Sequence, residues 1–413
     1  MNEDMLIDLG TPAATPSIIK VIGVGGGGGN AVNYMYNEGI HDVNFVICNT
    51  DSKALADSPI PVRLQLGSEG LGAGNRPARA REAAEESIES IRNMLSDGTK
   101  MVFITAGMGG GTGTGAAPVI AREAKSMDIL TVGIVTIPFL FEGNKKIDQA
   151  LDGVEEISKH VDALLVINNE RLREIYPGLT VMNAFAKADD TLTVAAKSIA
   201  EIITMHGIMN LDFEDVTTVL KDGGVAIMST GYGEGEGRVT KALTEALTSP
   251  LLNHNDIFNS KKVLLNINFC SDDEHTSLMM EEMNEIHDFM GKFRQDVETK
   301  WGLATDSTLG NKVKITLLAT GFGLQAISGM SSYQEEKIGK LSDEDKRKQK
   351  TRDELIGIYY SDENNTSKHR HNNIFIYNAE NMDNEDIISR VDATPTCRRT
   401  KDDLNRLKNE ASE

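Results

Sequence analysis

Basic residues are in short supply in this chain of 413 residues: 42 Lys and Arg stand against 62 Asp and Glu, a formal net charge of −20. Surfaces that neutralise nucleic-acid phosphates need clustered Lys and Arg, so no nucleic-acid partner is expected and any anionic ligand must be held locally. Cysteine is rarer still. Cys48, Cys270 and Cys397 lie far apart, with no CxxC pair and no His at metal-ligand spacing. That excludes a disulfide framework and a zinc site and fits a reducing cytoplasm. No apolar run approaches the roughly 20 residues that span a bilayer, so direct membrane insertion is not expected. The acidic start MNEDMLIDLG lacks the basic and apolar regions of a signal peptide.

What the chain does have is length for two domains and a regular alternation of apolar runs and helical stretches. From Ile18 the order is IIKVIGV, a helix from about Gly29 to Glu38, VNFVIC, one helix after Pro77 (ARAREAAEESIESIRNML) and MVFITAG. A helix from about Thr114, the strands LTVGIVTI and ALLVIN, and a long helix through Ala184–Met205 continue it. This is the rhythm of parallel βαβ units, and it predicts a doubly wound α/β domain over residues 18–211 after a disordered N-terminus, 1–17. DFEDVTTVLKDG, VAIMSTG, RVTKALTEALTS, KKVLLNINFC, SLMMEEMNEIHDFM and KVKITLLATGFG predict a smaller α+β domain over 212–323. Residues 324–390 are mostly polar and charged, with one apolar island at Ile374–Tyr377, and read as a flexible linker. Residues 391–413 regain Arg and read either as a frayed tail or as a docking peptide.

Two glycine-rich turns carry the chemistry. Gly23 to Asn30 (GVGGGGGN) directly follows an apolar strand and directly precedes a helix. Residues without Cβ let the backbone approach an anion closely, and the free N–H groups at the helix start, with the positive end of its dipole, bind phosphate. Taken alone, this loop also suits a nicotinamide dinucleotide, whose fingerprint wants an acid about 20 residues on, and Asn49-Thr50-Asp51 ends the second strand. No GxxxxGK[ST] run occurs, which excludes a Walker loop. A second turn, Gly107 to Gly115 (GMGGGTGTG), also joins a strand to a helix. Two such loops at one end of a parallel sheet, with the Thr112 and Thr114 hydroxyls as further donors, suit a chain of several phosphates. A third turn, Gly70 to Asn75, reads either as a lid over the terminal phosphate or as a surface loop.

The segments GVGGGGGNAVN, NTD at 49–51, GLGAG at 70–74, AGMGGGTGTGAAPVIA at 106–121, PFLFEG at 138–143 and GIMNLDFEDV at 207–216, in this order, resemble the FtsZ family of bacterial tubulin-like division GTPases. The resemblance runs from about Ile18 to Gly323. It implies a tubulin-like fold, with a parallel-sheet GTP-binding domain, a smaller α+β C-terminal domain and a disordered tail. GTP is implied across the strand ends, with Gly26, Gly27, Gly28, Gly29 and Asn30 and with Gly111, Thr112 and Gly113 around the phosphates. By the same mapping Glu142 and Lys146 face the ribose and phosphates, while Asn169, Phe185 and Asp189 hold the guanine. A carboxylate accepts from guanine N1 and N2 together, an aromatic face stacks on the base, and an amide reads an acceptor edge.

The resemblance further makes Asp212 and Asp215 the acids that reach into the nucleotide site of the next subunit and orient the attacking water. From spacing alone Asp212 reads as a helix N-cap with Asp215 in the first turn, and the two roles are compatible. Magnesium is implied as counter-ion to the phosphates, and head-to-tail homopolymers follow from a heterologous contact. The family's membrane-tether partners are expected on the C-terminal peptide, where Thr394, Pro395, Arg398 and Arg399 match in part, which would bring the protein to the midcell division site. The chain departs from the family at Lys146, where Arg is usual, at Asn168 and Glu170, where Pro and Asp are usual, and at Ala80, where Gly is usual. The competing readings are a nicotinamide-dependent oxidoreductase and a tubulin-like protein without turnover.

Overall fold

The computed structural model describes residues 17–40, 42–176, 178–204, 207–248, 257–271 and 276–323. The expectations for residues 1–16, for the linker 324–390 and for the peptide 391–413 lie outside the described residues. The first half runs β1 (Ile19–Val24), α1 (Gly25–Asn37), β2 (Val43–Asn49), α2 (Ser52–Ala56), β3 (Val62–Gln65), α3 (Pro77–Glu86), α4 (Ile88–Leu95), β4 (Met101–Gly107), α5 (Thr112–Ser126), β5 (Leu130–Ile137), α6 (Asn144–Ser158), β6 (Ala163–Asn168), α7 (Asn169–Ile175) and α8 (Val181–Thr204). The second runs β7 (Gly207–Met209), α9 (Phe213–Leu220), β8 (Gly224–Glu234), α10 (Arg238–Leu247), β9 (Lys262–Phe269), α11 (Glu282–Met290), β10 (Glu298–Thr305) and β11 (Lys312–Phe322).

The described strands form one sheet in the order β3-β2-β1-β4-β5-β6-β8-β11-β9-β10-β7. From β3 to β6 every pairing is parallel, and chain order reverses between β1 and β4. In open α/β sheets a ligand binds beyond the carboxyl ends of the strands at such a reversal. Strands β1, β5 and β6 are buried throughout, because helices cover both faces and apolar runs need not alternate. Beyond β6 the sheet turns mixed. β6 and β8 share only the pairs Ala163–Gly224 and Leu164–Val225, and β11 runs antiparallel to both β8 and β9.

Helix α8 spans 24 residues, about 36 Å at 1.5 Å per residue. Its buried Leu192, Ala195, Ala196, Ile199 and Ala200 fall at the spacing of one helical face, and they join a core with Val216, Val219 and Leu220 of α9. A second core gathers Val239, Ala242 and Leu243 of α10 with Ile286 and Phe289 of α11 against β9 and β11. Cys48 and Cys270 are free and buried. Burial pushes the Cys48 thiol up to about 12, so it stays protonated and inert. Among the described residues no helix is long and apolar enough to cross a membrane.

The elements differ from the expected ones in several places, among them the 15-residue α6, which the sequence reading does not include. The first helix begins at Gly25, not near Gly29, so the glycines themselves form its first turn. The single helix after Pro77 is two, broken at Ser87, whose hydroxyl accepts from Gly67 N–H at 2.9 Å and donates to Ala83 O at 2.9 Å. Such side-chain bonds compete with the helix ladder. Strand β3 escaped notice because three of its four residues are exposed and the apolar signal is missing. Strand β10 hides behind its polar start, Glu298-Thr299-Lys300.

Candidate functional site

The two glycine loops leave neighbouring strands and touch each other. Gly25 has φ +73°, and a Cβ there would stand 2.8 Å from Gly113 N, so only glycine lets the loops meet. A Cβ on Gly28 would lie 2.2 Å from the Thr105 carbonyl oxygen, which fixes that position by packing. Gly26, Gly29 and Gly110 are different, since a Cβ on any of them would meet nothing within 4 Å. Neither α1 nor α5 has a side-chain cap hydrogen bond or an acidic residue in its first turn. Both helix starts therefore offer N–H groups and the positive end of the dipole to an outside anion.

The second loop is braced from within. Gly109 N–H donates to Thr114 Oγ1 at 2.9 Å, and Gln149 of α6 donates to the carbonyls of Gly109 and Gly110 at 3.0 and 2.9 Å. The Thr112 hydroxyl shares a 2.7 Å hydrogen bond with that of Thr50 at the end of β2. The third turn leans on the same loop, since a Cβ on Gly111 would meet Ala73 Cβ at 2.9 Å. Asn30 is exposed on α1, and Tyr34, one turn on, feels the charges of Asp189 and Asp190 on α8.

At the ends of β5 and β6 a second cluster forms. Glu142 accepts from Phe139 N–H at 2.9 Å and pairs with Lys146 one turn on. Phe139 is fully buried and meets Phe185 edge-on, with ring centroids 5.1 Å apart. Phe185 itself is 41% exposed on α8. One turn further Asp189 is half-buried, and desolvation pushes its carboxyl up to about 6 from an ordinary 3.8. Asn169 is 5% exposed, and its Oδ1 finds no hydrogen-bond partner. A buried acceptor without a partner costs about 1–3 kcal/mol, a cost that a ligand donor would remove.

Asp212 and Asp215 stand elsewhere, at the start of α9. Asp215 N–H donates to Asp212 Oδ1 at 2.9 Å and Asp212 N–H to Asp215 Oδ2 at 3.2 Å, a reciprocal capping box. The Lys300 ammonium lies 2.9 Å from Asp215 Oδ1. Its hydrogen bond is the largest of the influences that hold the Asp215 carboxyl below the usual range. The far end of α9 lies beside the loop before β5, where Lys221 pairs with Asp128 at 3.4 Å. That is the amino end of the parallel strands, opposite the glycine loops.

Family comparisons agree on what this arrangement is. The GTPase-domain model of the tubulin/FtsZ family matches residues 18–177, and the FtsZ family C-terminal domain model matches 224–323. The cell division protein FtsZ of Porphyromonas gingivalis is 52% identical over 98% of this chain and 91% of its own length. The chain belongs to the FtsZ family. It is accordingly a GTPase of the tubulin-like cell-division class, and the dinucleotide reading of the first loop falls away. FtsZ of Coxiella burnetii is 43% identical over 78% of this chain and 84% of its own. Among solved structures, an empty FtsZ dimer from M. jannaschii matches with TM-score 0.67 and 38% identity, covering 74% of this chain and 89% of that one. A model of the FtsZ C-terminal segment matches 369–413, outside the described residues.

Three of the four departures from the FtsZ pattern have local explanations. Asn168 caps α7 by accepting from Glu170 N–H at 3.0 Å, which the proline usual there could not do. Glu170 is 2% exposed; its longer carboxylate accepts from Leu140 N–H at 3.0 Å and from Arg173. It thereby ties the Asn169 strand end to the Glu142 turn. Ala80 is buried, and its methyl fits because Gly115 opposite has no Cβ; one there would stand 3.0 Å from it. Gln149 and Lys300 were not singled out by sequence reasoning, and Thr50 and Glu170 entered it only as motif positions without these partners, since each acts through a contact distant in the chain.

Proposed function

We propose that the GTPase cycle of this protein is completed between two copies of the chain. One copy holds GTP, with the N–H groups of Gly26–Asn30 and Gly111–Gly113 around the phosphates. Glu142 and Lys146 face the ribose and phosphates, and Asn169, Phe185 and Asp189 take the guanine. The next copy brings Asp212 and Asp215 to the γ-phosphate and orients the attacking water. Phosphoryl transfer depends mainly on positioning and charge stabilisation, so dividing the site in this way ties hydrolysis to assembly. Head-to-tail contacts of this heterologous kind produce open filaments.

The observation that carries the reading is the length of α8. Phe185 lies near its first turn, and the acids follow its last residue, Thr204. Nineteen helical rises separate those two positions, about 29 Å, so a subunit's own acids do not reach its own nucleotide. Magnesium bound with GTP would supply positive charge to offset that of the phosphates. Such an ion takes its ligands chiefly from phosphate and water. Residues 391–413, with Thr394, Pro395, Arg398 and Arg399, would dock a membrane-tether protein and bring filaments to the midcell division ring. The test is direct. Pure protein given GTP and magnesium should sediment as polymer and release phosphate, with a rate per subunit that rises with protein concentration. Phosphate release that stays constant per subunit at every dilution would mean a complete site in one chain.

A further inference from the structure

Helix α6 lies along the second glycine loop through Lys146, Gln149 and Gly153, which share one face of the helix. A Cβ on Gly109 would stand 2.5 Å from the Lys146 carbonyl oxygen, and one on Gly153 would stand 2.6 Å from Thr114 Cγ2. Between these two contacts the Gln149 side chain donates to Gly109 O at 3.0 Å and to Gly110 O at 2.9 Å. Both partners are acceptors, so the amide must present its NH2 group to them. The other side of the loop is open. The N–H groups of Gly110 and Gly111 meet no acceptor among the described residues, and a Cβ on Gly110 would meet nothing within 4 Å.

We propose that Gln149 is a positioning residue of the nucleotide site: by holding the carbonyls of Gly109 and Gly110 toward α6, it turns the N–H groups of Gly110 and Gly111 outward to the polyphosphate. The inference rests on the reading that the second loop faces the phosphates. In a trans peptide the C=O and N–H bonds lie antiparallel in one plane, and no described peptide bond is cis. Fixing Gly109 O therefore fixes Gly110 N–H, and fixing Gly110 O fixes Gly111 N–H. A brace is needed because three consecutive glycines carry no Cβ, so either peptide plane can turn over at little steric cost. A plane turned over would present a carbonyl oxygen to the phosphates and replace attraction by repulsion. The neutral amide selects the favourable orientation before the ligand arrives, so binding spends nothing on reorganising these donors.

The experiment compares full-length wild-type protein with Gln149→Leu and Gln149→Met, which remove the donor, and Gln149→Glu, which keeps the shape but only accepts. Binding of GDP and magnesium to unassembled protein is measured by calorimetry, and phosphorus and proton NMR of the bound GDP report its two ends separately. Affinity should fall roughly tenfold in Gln149→Leu and Gln149→Met, and further in Gln149→Glu, whose charge also repels the phosphates. In the two neutral variants the phosphorus resonances of bound GDP should move while the guanine H8 proton stays in place. Wild-type affinity in both neutral variants overturns the proposal. So does a loss in which H8 moves along with the phosphorus resonances, because that marks a general disturbance of the pocket. Wild-type protein keeps the two readings apart. If its bound GDP shows the phosphorus resonances of free GDP with magnesium, the loop does not hold the phosphates and that reading fails; if they are displaced and Gln149→Leu binds normally, only the role of Gln149 fails.

Discussion

Helix α1 starts on five glycines, without a side-chain cap and without an acid in its first turn, whereas α9 starts on a reciprocal box of two aspartates with Glu214 between them. Both helix starts carry the same partial positive charge. At α9 the chain fills that charge with its own carboxylates, each cap contributing about 1 kcal/mol to stability. At α1, and again at α5, the charge is left for a ligand, and the glycines there cost up to about 1 kcal/mol each relative to alanine. In the proposed site, one region gives up stability to receive negative charge. The other uses negative charge both to hold a helix and, in the proposed assembly, to act on a neighbour.

That contrast can be broken from either side. The largest effect is expected at Asp212. Asp212→Asn keeps an equally good cap and should leave the melting temperature almost unchanged while lowering GTP turnover about 10²-fold, measured as phosphate release from assembled protein. Asp212→Ala should lose the same turnover and also about 1 kcal/mol of stability. Ordinary turnover in Asp212→Asn would reduce the residue to a cap.

A smaller effect follows from making α1 resemble α9. Gly26 is exposed and a Cβ there meets nothing, so Gly26→Asp introduces an acid without a clash. An acid in the first turn favours the helix by about 0.3–1 kcal/mol, so the protein without nucleotide should melt at the same or a higher temperature. GTP affinity should drop at least tenfold by repulsion from the phosphates. Calorimetric binding and a melting curve on one sample test both signs; parallel loss of stability and affinity would mean that the glycine serves packing alone.

The smallest effect sharpens the base end. The Asp189 carboxyl, raised to about 6 by burial, favours the folded state when protonated, and that contribution is lost as pH rises from about 4 through about 6. Donors from guanine N1 and N2 favour the ionised form, so binding lowers this value and releases a fraction of a proton near pH 6. Titration calorimetry in buffers of different ionisation enthalpy should register the release, and Asp189→Asn should abolish it.

Legibility in the sequence follows the distance over which each feature is encoded. The glycine loops are read directly, because the strand, the turn and the helix start are contiguous and glycine runs at strand-to-helix joints have few other uses. Asp212 and Asp215 are legible as a cap because the box closes within three residues. The ambiguity between dinucleotide and GTP at the first loop is equally physical, since the strand order β3-β2-β1-β4-β5-β6 suits either ligand, and it took the second loop and the family motifs to resolve it. What escaped was non-local. Lys300 reaches Asp215, Glu170 reaches Leu140 N–H, and Gln149 reaches the carbonyls of Gly109 and Gly110, and no periodicity or spacing marks such pairs. Phe185 and Asp189 look like an ordinary core residue and a solvated acid until α8 packs beside α1 and the β5 turn.

The amino-acid sequence by itself determined the class of protein, the two glycine-rich strand-to-helix turns and the capped start of α9, because backbone freedom and capping are properties of neighbouring residues. Only the tertiary structure decided that Gly25 meets Gly113, that Asn169 Oδ1 is buried without a donor, that desolvation raises Asp189 and that Lys300 braces Asp215. Burial and charge pairing arise only when distant segments close on one another. The same holds for the separation on which the proposed mechanism depends, since the 24 residues of α8 keep the glycine loops and the acids at opposite ends of one subunit.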